Sequence, residues 1–294
     1  QGFRKTFKLT NGNQSSGAGA GDTLVILNRI EAQDLANSGW NYTSSSSNIS
    51  FSFWVKSSVA QNFFFTFKTG DGTPQKYAME TGSLTADTWT KVTKIIPGNS
   101  NIQFDNDNGE GLEIEWSIFR GTDETGSMSL NAWAANNNSV RTPDQTSTWF
   151  TTNNATFEIT GVQLEVGSVT TDFEFRSFGQ ELALCQRYYD KSYTYGTTPG
   201  TATSTGAVVH TLSGSYNYAG FPIEFTRSMR ADPTITLYST NNGNTGKTSA
   251  DSGDGNASVS YQNEKRAFVF RANSNNGMGT NVFLRCQFQA DAEL

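Results

Sequence analysis

The chain has 294 residues, 35% hydrophobic, 13% aromatic and only 16% charged, with a formal net charge of −6 at pH 7. No stretch is basic enough to follow a phosphate backbone, which argues against nucleic acid as a partner. No apolar run approaches the ~20 residues of a membrane-spanning helix, so membrane insertion is not expected.

The chain opens at Gln1 with "RKTFKLT", a strand already under way, and no signal peptide is visible. An upstream segment is therefore expected. In "ISFSFWV", Phe51, Phe53 and Val55 share one phase of a strand, and "NFFFTFK" and "WTKVTKII" are further strands. In "LEIEWSI", Leu112, Ile114, Trp116 and Ile118 take one face and leave Glu113 and Glu115 on the other. That is a half-buried antiparallel strand with its carboxylates on the solvated side. The turn signals "GDGT", "IPGNS" and "DNDNG" punctuate these runs. Many short strands with such punctuation indicate a β-sandwich or jelly roll.

"TFEITGVQLEV" changes parity midway: Phe157 and Ile159 share one phase, Val162, Leu164 and Val166 the other. A β-bulge at Thr160-Gly161 would return all five to the core. The one convincing helix follows. Ser177 is its N-cap, and Gln180, three residues on, completes a capping box. Phe178, Leu182, Cys185 and Tyr189 form a stripe at helical spacing, widened by Leu184 and Tyr188. So short a helix is marginal alone, so the stripe is expected to pack between domains. After the loop "TYGTTPGTATSTG", strands resume with "AVVHTLSGS", "GFPIEFT", "PTITLYS", "ASVSYQ", "RAFVFRA" and "NVFLRCQFQADAEL". Residues 240–256 read as a long polar hairpin or loop.

The expected fold is thus all-β. Residues 1–175 form an N-terminal jelly-roll sandwich, 176–194 a connecting helix and linker, and 195–294 a smaller C-terminal β-sandwich.

The residues carry little catalytic chemistry. The one histidine, His210, lies in a strand without a nucleophile motif, and one histidine excludes a multi-histidine metal site. Glu113 and Glu115 share a strand face, whereas glycoside hydrolysis needs two acids facing across a cleft. No enzyme is expected. Asp105, Asp107 and Glu110 in "DNDNGEG" offer hard oxygen ligands for a structural calcium, but the EF-hand pattern fails and Asn-Gly is a common hairpin turn. No other cofactor is indicated. Cys185 and Cys286 are too few for a disulfide scaffold and read either as a pair or as two buried thiols. Sugar binding needs aromatic faces beside planar polar groups. Trp40 and Tyr42 in "GWNYT", and Trp133, Arg141 and Trp149 in "NAWAANNNSVRTPDQTSTWF", occupy Asn-rich, loop-like surroundings. Each is either a glycan-binding candidate or part of an aromatic core.

"ITGVQLEVGSVTTDFEFRSFGQELALCQRYYDKSYTYGTTPGT" resembles a segment of tail-fibre-type structural proteins of tailed bacteriophages. "NRIEAQDLA", "TADTWTKVTKIIPG" and "DNDNGEGLEIEW" resemble the first domain of that group, and "MRADPTITLYS" and "ADAEL" its C-terminal domain. The resemblance implies a virion appendage displayed outside the particle, homotrimeric and held to other virion proteins. It also implies a jelly roll similar to carbohydrate-binding modules, and the expected function is to present such domains to host surface glycans. The resemblance carries over no sugar-binding residue. A purely structural virion part, such as a capsid decoration, and a secreted glycan-binding module are the alternatives.

Overall fold

The computed structural model describes residues 2–12, 16–212, 218–250, 253–263, 265–273 and 282–294. Parts of the expected elements at 213–215, 251–252 and 281 lie outside them. The protein is all-β, with nineteen strands and three short helices among the described residues. It divides into two compact units, residues 1–174 with Leu294 and residues 175–293.

The first unit comprises β1 (Phe7–Thr10), β2 (Thr23–Glu31), α1 (Ala32–Ala36), β3 (Asn48–Ser57), β4 (Asn62–Thr69), β5 (Gln75–Ser83), β6 (Thr90–Pro97), β7 (Glu110–Arg120), β8 (Thr125–Gly126), β9 (Trp133–Ala135), β10 (Thr142–Pro143), α2 (Thr148–Thr151) and β11 (Thr156–Val166). Two antiparallel sheets result, ordered β1-β11-β3-β6 and β2-β7-β4-β5-β9, with β8 and β10 forming a short parallel pair. The period-two pattern dictates the layering. Phe51, Phe53 and Val55 of β3, Phe65 and Phe67 of β4, and Leu112, Ile114, Trp116 and Ile118 of β7 are all buried in one core. Phe53 meets Phe65 and Trp116 edge-on at 5.1 and 5.7 Å between ring centres. Each such side chain contributes about 1.5–3 kcal/mol relative to exposure.

The bulge lies where the parity shift places it. The β11–β3 register slips between Thr160 and Gln163, and Gly161 has φ +61°. The Phe3 ring occupies the space a Cβ would need, only 2.4 Å from its position. The slip sets Leu164 opposite Phe51 and against the core. It does not recover all five apolar residues: Val162 stays 40% and Val166 50% exposed. Val162 is an extra residue within the bulge, and Val166 ends the strand.

The acids of β7 are not solvated. Glu113 and Glu115 are buried, because neighbouring strands set cations beside them. Arg29, Glu113, Lys68 and Lys76 form one cross-strand row. Arg29 and Lys68 each reach Glu113 at 3.0 Å. The Arg120 guanidinium holds Glu115 at 2.7 Å and also pairs with Glu124.

The second unit holds α3 (Phe178–Cys185), β12 (Tyr189–Lys191), β13 (Val208–Leu212), β14 (Tyr218–Glu224), β15 (Thr234–Tyr238), β16 (Lys247–Ala250), β17 (Gly253–Asn263), β18 (Ala267–Asn273) and β19 (Val282–Asp291). β19 is its spine. It pairs with β13 and β16 along its first half and with β12 and β15 along its second. Phe268, Phe270, Leu284, Cys286 and Phe288 are buried in its core. Pro222 sits on β14, a terminal strand of the sheet, where a missing N–H is tolerated.

Residues 176–194, expected as a connecting helix and linker, lie in the second unit, where β12 pairs with β19. The Ser177–Gln180 capping box is present. The packing expected of its stripe is not. No residue of α3 is buried, and Phe178 is 72% exposed. The helix stops at Cys185, because Tyr189 is drawn into β12 opposite Asp291. Its hydroxyl donates to Gln289. Phe178, Leu182, Cys185 and Tyr189 therefore do not form one buried helical stripe: none is buried, and Tyr189 belongs to β12. Both cysteines are free, with Cys286 buried and Cys185 exposed, so the reading of two buried thiols holds only for Cys286.

Candidate functional site

The β3 residues that point away from the core are Ser52, Trp54 and Lys56, since Phe51, Phe53 and Val55 point into it. On β11 the outward residues are Glu158 and Thr160. The register sets Glu158 opposite Lys56 and Thr160 opposite Trp54. Trp89 closes one side, just before β6, and the segment leading into β1 closes the other. Together Phe3, Arg4, Thr6, Trp54, Trp89, Glu158 and Thr160 enclose a pocket of about 270 Å³. Small-molecule sites start near ~300 Å³, so this one suits a single ring.

Its polar groups are held in place. Glu158 receives the Lys56 ammonium at 3.0 Å and the Thr6 hydroxyl at 3.2 Å. The Thr160 hydroxyl donates to the Lys5 carbonyl at 3.0 Å, tying the N-terminal segment to β11. The Lys56 nitrogen lies 5.2 Å from the Trp89 ring centre, a cation–π distance. Burial pushes the Glu158 carboxyl up, but the hydrogen bonds and charges of Lys56, Thr6 and Lys8 outweigh it, so its pKa lies below the usual value. The pocket therefore combines two half-buried indoles, an ionised acceptor, an exposed guanidinium at Arg4 and hydroxyls at Thr6 and Thr160. Indole faces stack on the C–H face of a pyranose, while a carboxylate accepts its hydroxyl protons. Only one carboxylate lines this pocket, whereas glycosidic hydrolysis uses two.

The candidates read from sequence lie elsewhere. Trp40 is buried, its Nε1 donating to the Ser47 carbonyl. Tyr42 packs with it and with Phe104. Trp149 is fully buried and donates to the Thr156 carbonyl. These aromatics serve the core and its end. Trp133 packs tilted against Tyr77 and donates to the Pro97 carbonyl at 2.7 Å, which ties β9 to β6 of the other sheet. Arg141 Nε lies 3.0 Å from Glu124 without hydrogen-bond alignment. Its carbonyl receives the Lys76 ammonium at 3.0 Å. Lys76 is buried, and desolvation lowers its pKa to about 8. With Trp40 and Trp149 buried, the five residues do not make one exposed surface.

Asp105, Asp107 and Glu110 do not converge either. Asp107 accepts from the Gly109 N–H and Asp105 from the Gln103 amide, while Glu110 pairs with Arg29 and Lys68. Among the described residues no three His, Cys, Asp or Glu side chains form a metal-holding group. His210 stacks on Phe221, ring centres 3.5 Å apart.

Trp54, Trp89 and Glu158 escaped the sequence reading, although the signal for two of them was present. Inward Phe53 and Val55 force Trp54 outward, and inward Phe157 and Ile159 do the same for Glu158.

No protein-family model matches the chain, and a search of curated proteins finds no match.

Proposed function

We propose that the chain is a non-enzymatic glycan-recognising part of a tailed-bacteriophage appendage. In this reading the sandwich of the first unit is a carbohydrate-binding-like jelly roll, and the chain acts as a homotrimer outside the particle, joined to other virion proteins. The observation that carries glycan recognition is the pocket formed by Trp54, Trp89 and Glu158. The resemblance around residues 159–201 supports the virion setting. One such pocket binds weakly, and linked copies raise the effective concentration.

A purely structural virion role is the second reading, favoured by the exposed stripe Phe178–Leu184, which offers apolar surface for assembly. Adsorption competition separates the two. Purified chain added to host cells lowers phage adsorption in the first reading, and Trp54→Ala chain does not. If wild type and variant both fail to compete at any concentration, the receptor role is lost and the structural one stands.

A further inference from the structure

A second pocket, of about 450 Å³, lies in the second unit, between the end of β14 and the start of β18. Residues 224–228 form its wall, and the stretch 225–229 is anchored at both ends. Phe225 and Met229 are buried in the core. The Phe225 N–H donates to the Arg266 carbonyl at 2.9 Å and the Met229 N–H to the Lys265 carbonyl at 2.7 Å. The Thr226 N–H donates to the buried Asp190 carboxylate at 2.8 Å. This leaves Thr226, Arg227 and Ser228 arched over a fixed base, with Arg266 facing the same space.

The lining has a definite chemistry. Arg227 and Arg266 are exposed guanidiniums, Thr226 and Ser228 bring hydroxyls, and Glu224 is the single acid. β14 directs Phe221 and Ile223 into the core, so Glu224 and its register partner Ala267 take the outer face. Two planar forks fit a carboxylate or phosphate. Glu224 decides between them. A carboxylate accepts sugar hydroxyl protons but repels a multiply charged phosphate. The surrounding unit does not oppose an anion: its sequence has 10 Lys and Arg against 9 Asp and Glu, while residues 1–174 have 11 against 18.

We infer that this pocket binds an acidic saccharide, with the sugar carboxylate on Arg227 and Arg266 and a ring hydroxyl on Glu224. The inference rests on the reading of the protein as a glycan binder, but the site is separate from the Trp54 pocket. The held wall means that little ordering is needed on binding.

The test is a titration of the full chain with sodium glucuronate, glucose and inorganic phosphate, followed by chemical-shift changes in labelled protein. Glucuronate is expected to shift the signals of residues 224–228 and 266–267, and Arg227→Ala and Arg266→Ala each to weaken it by roughly tenfold or more. Trp54→Ala is expected to leave this binding unchanged, which separates the inference from the first pocket. Both arginines are exposed, and an unchanged unfolding midpoint checks that the variants fold. Equal binding of glucose, tighter binding of phosphate, or no shift with glucuronate would each overturn the inference.

Discussion

Lys56 and Glu158 face each other across the β3–β11 pair with 3.0 Å between ammonium and carboxylate. The pair keeps Glu158 ionised at the base of the indole pocket. Glu158→Gln preserves shape and removes the charge. Its expected effect is a loss of glycan affinity of roughly tenfold or more, the share of a hydrogen bond to a charged group. Stability should fall by less than about 1 kcal/mol, because the pair is partly exposed. Calorimetry and denaturant unfolding on the same variant measure both.

Gly161 is required by the bulge. Its φ of +61° and the Phe3 ring beside it leave no room for a methyl group. Gly161→Ala should destabilise the first unit by about 1–3 kcal/mol and displace Phe3, loosening the pocket wall. Urea unfolding checks the first effect; reduced glycan affinity checks the second.

The buried charges give the first unit a pH signature. Burial pushes Glu115 up, but hydrogen bonds from Arg120 and Ser117 overcome this and leave its pKa below 4.5. Its contribution is complete above the unfolded value near 4.5 and is lost as pH falls through the folded value. Arg120→Met leaves that carboxylate buried and unpaired, which should cost about 3–5 kcal/mol at neutral pH and less in acid. Lys76 has the opposite sign. Its folded pKa of about 8 lies below 10.5, so burying the ammonium costs stability below pH 8, and that cost disappears as pH rises to 10.5. The stability of wild type relative to Lys76→Met should therefore rise across that window. A flat difference would show that Lys76 is hydrated.

The two thiols should differ sharply. Cys286 is buried with its pKa raised to about 12, and Cys185 is exposed. A thiol reagent should modify one cysteine in the native monomer and two after unfolding. Leu182→Asp on α3 should leave the unfolding midpoint unchanged, since no residue of the helix is buried. If the stripe serves assembly, the same variant loses the oligomer in sedimentation, and Cys185 of the wild-type oligomer is protected.

Local pattern was a sound guide where one residue's neighbours in sequence decide its place. Alternation marked Phe51, Phe53, Leu112 and Ile114 as core, parity marked the bulge at Gly161, and Ser177 with Gln180 marked a helix start. It was a poor guide where strands distant in sequence decide. Glu113 is buried because Arg29 and Lys68 arrive from β2 and β4. The pocket needs Thr6, Trp54, Trp89 and Glu158 from four separate stretches. Asn-rich surroundings around Trp40 and Trp149 suggested exposed loops, yet both side chains turn inward to the core, Trp149 from the short helix α2.

The most direct test is an array of bacterial surface glycans probed with the full chain, with Trp54→Ala and with Glu158→Gln. The wild type should retain at least one glycan that both variants lose, at unchanged unfolding midpoints. Retention of the same glycans by all three, or of none by the wild type, would contradict the assignment of the Trp54–Trp89 pocket as a glycan site.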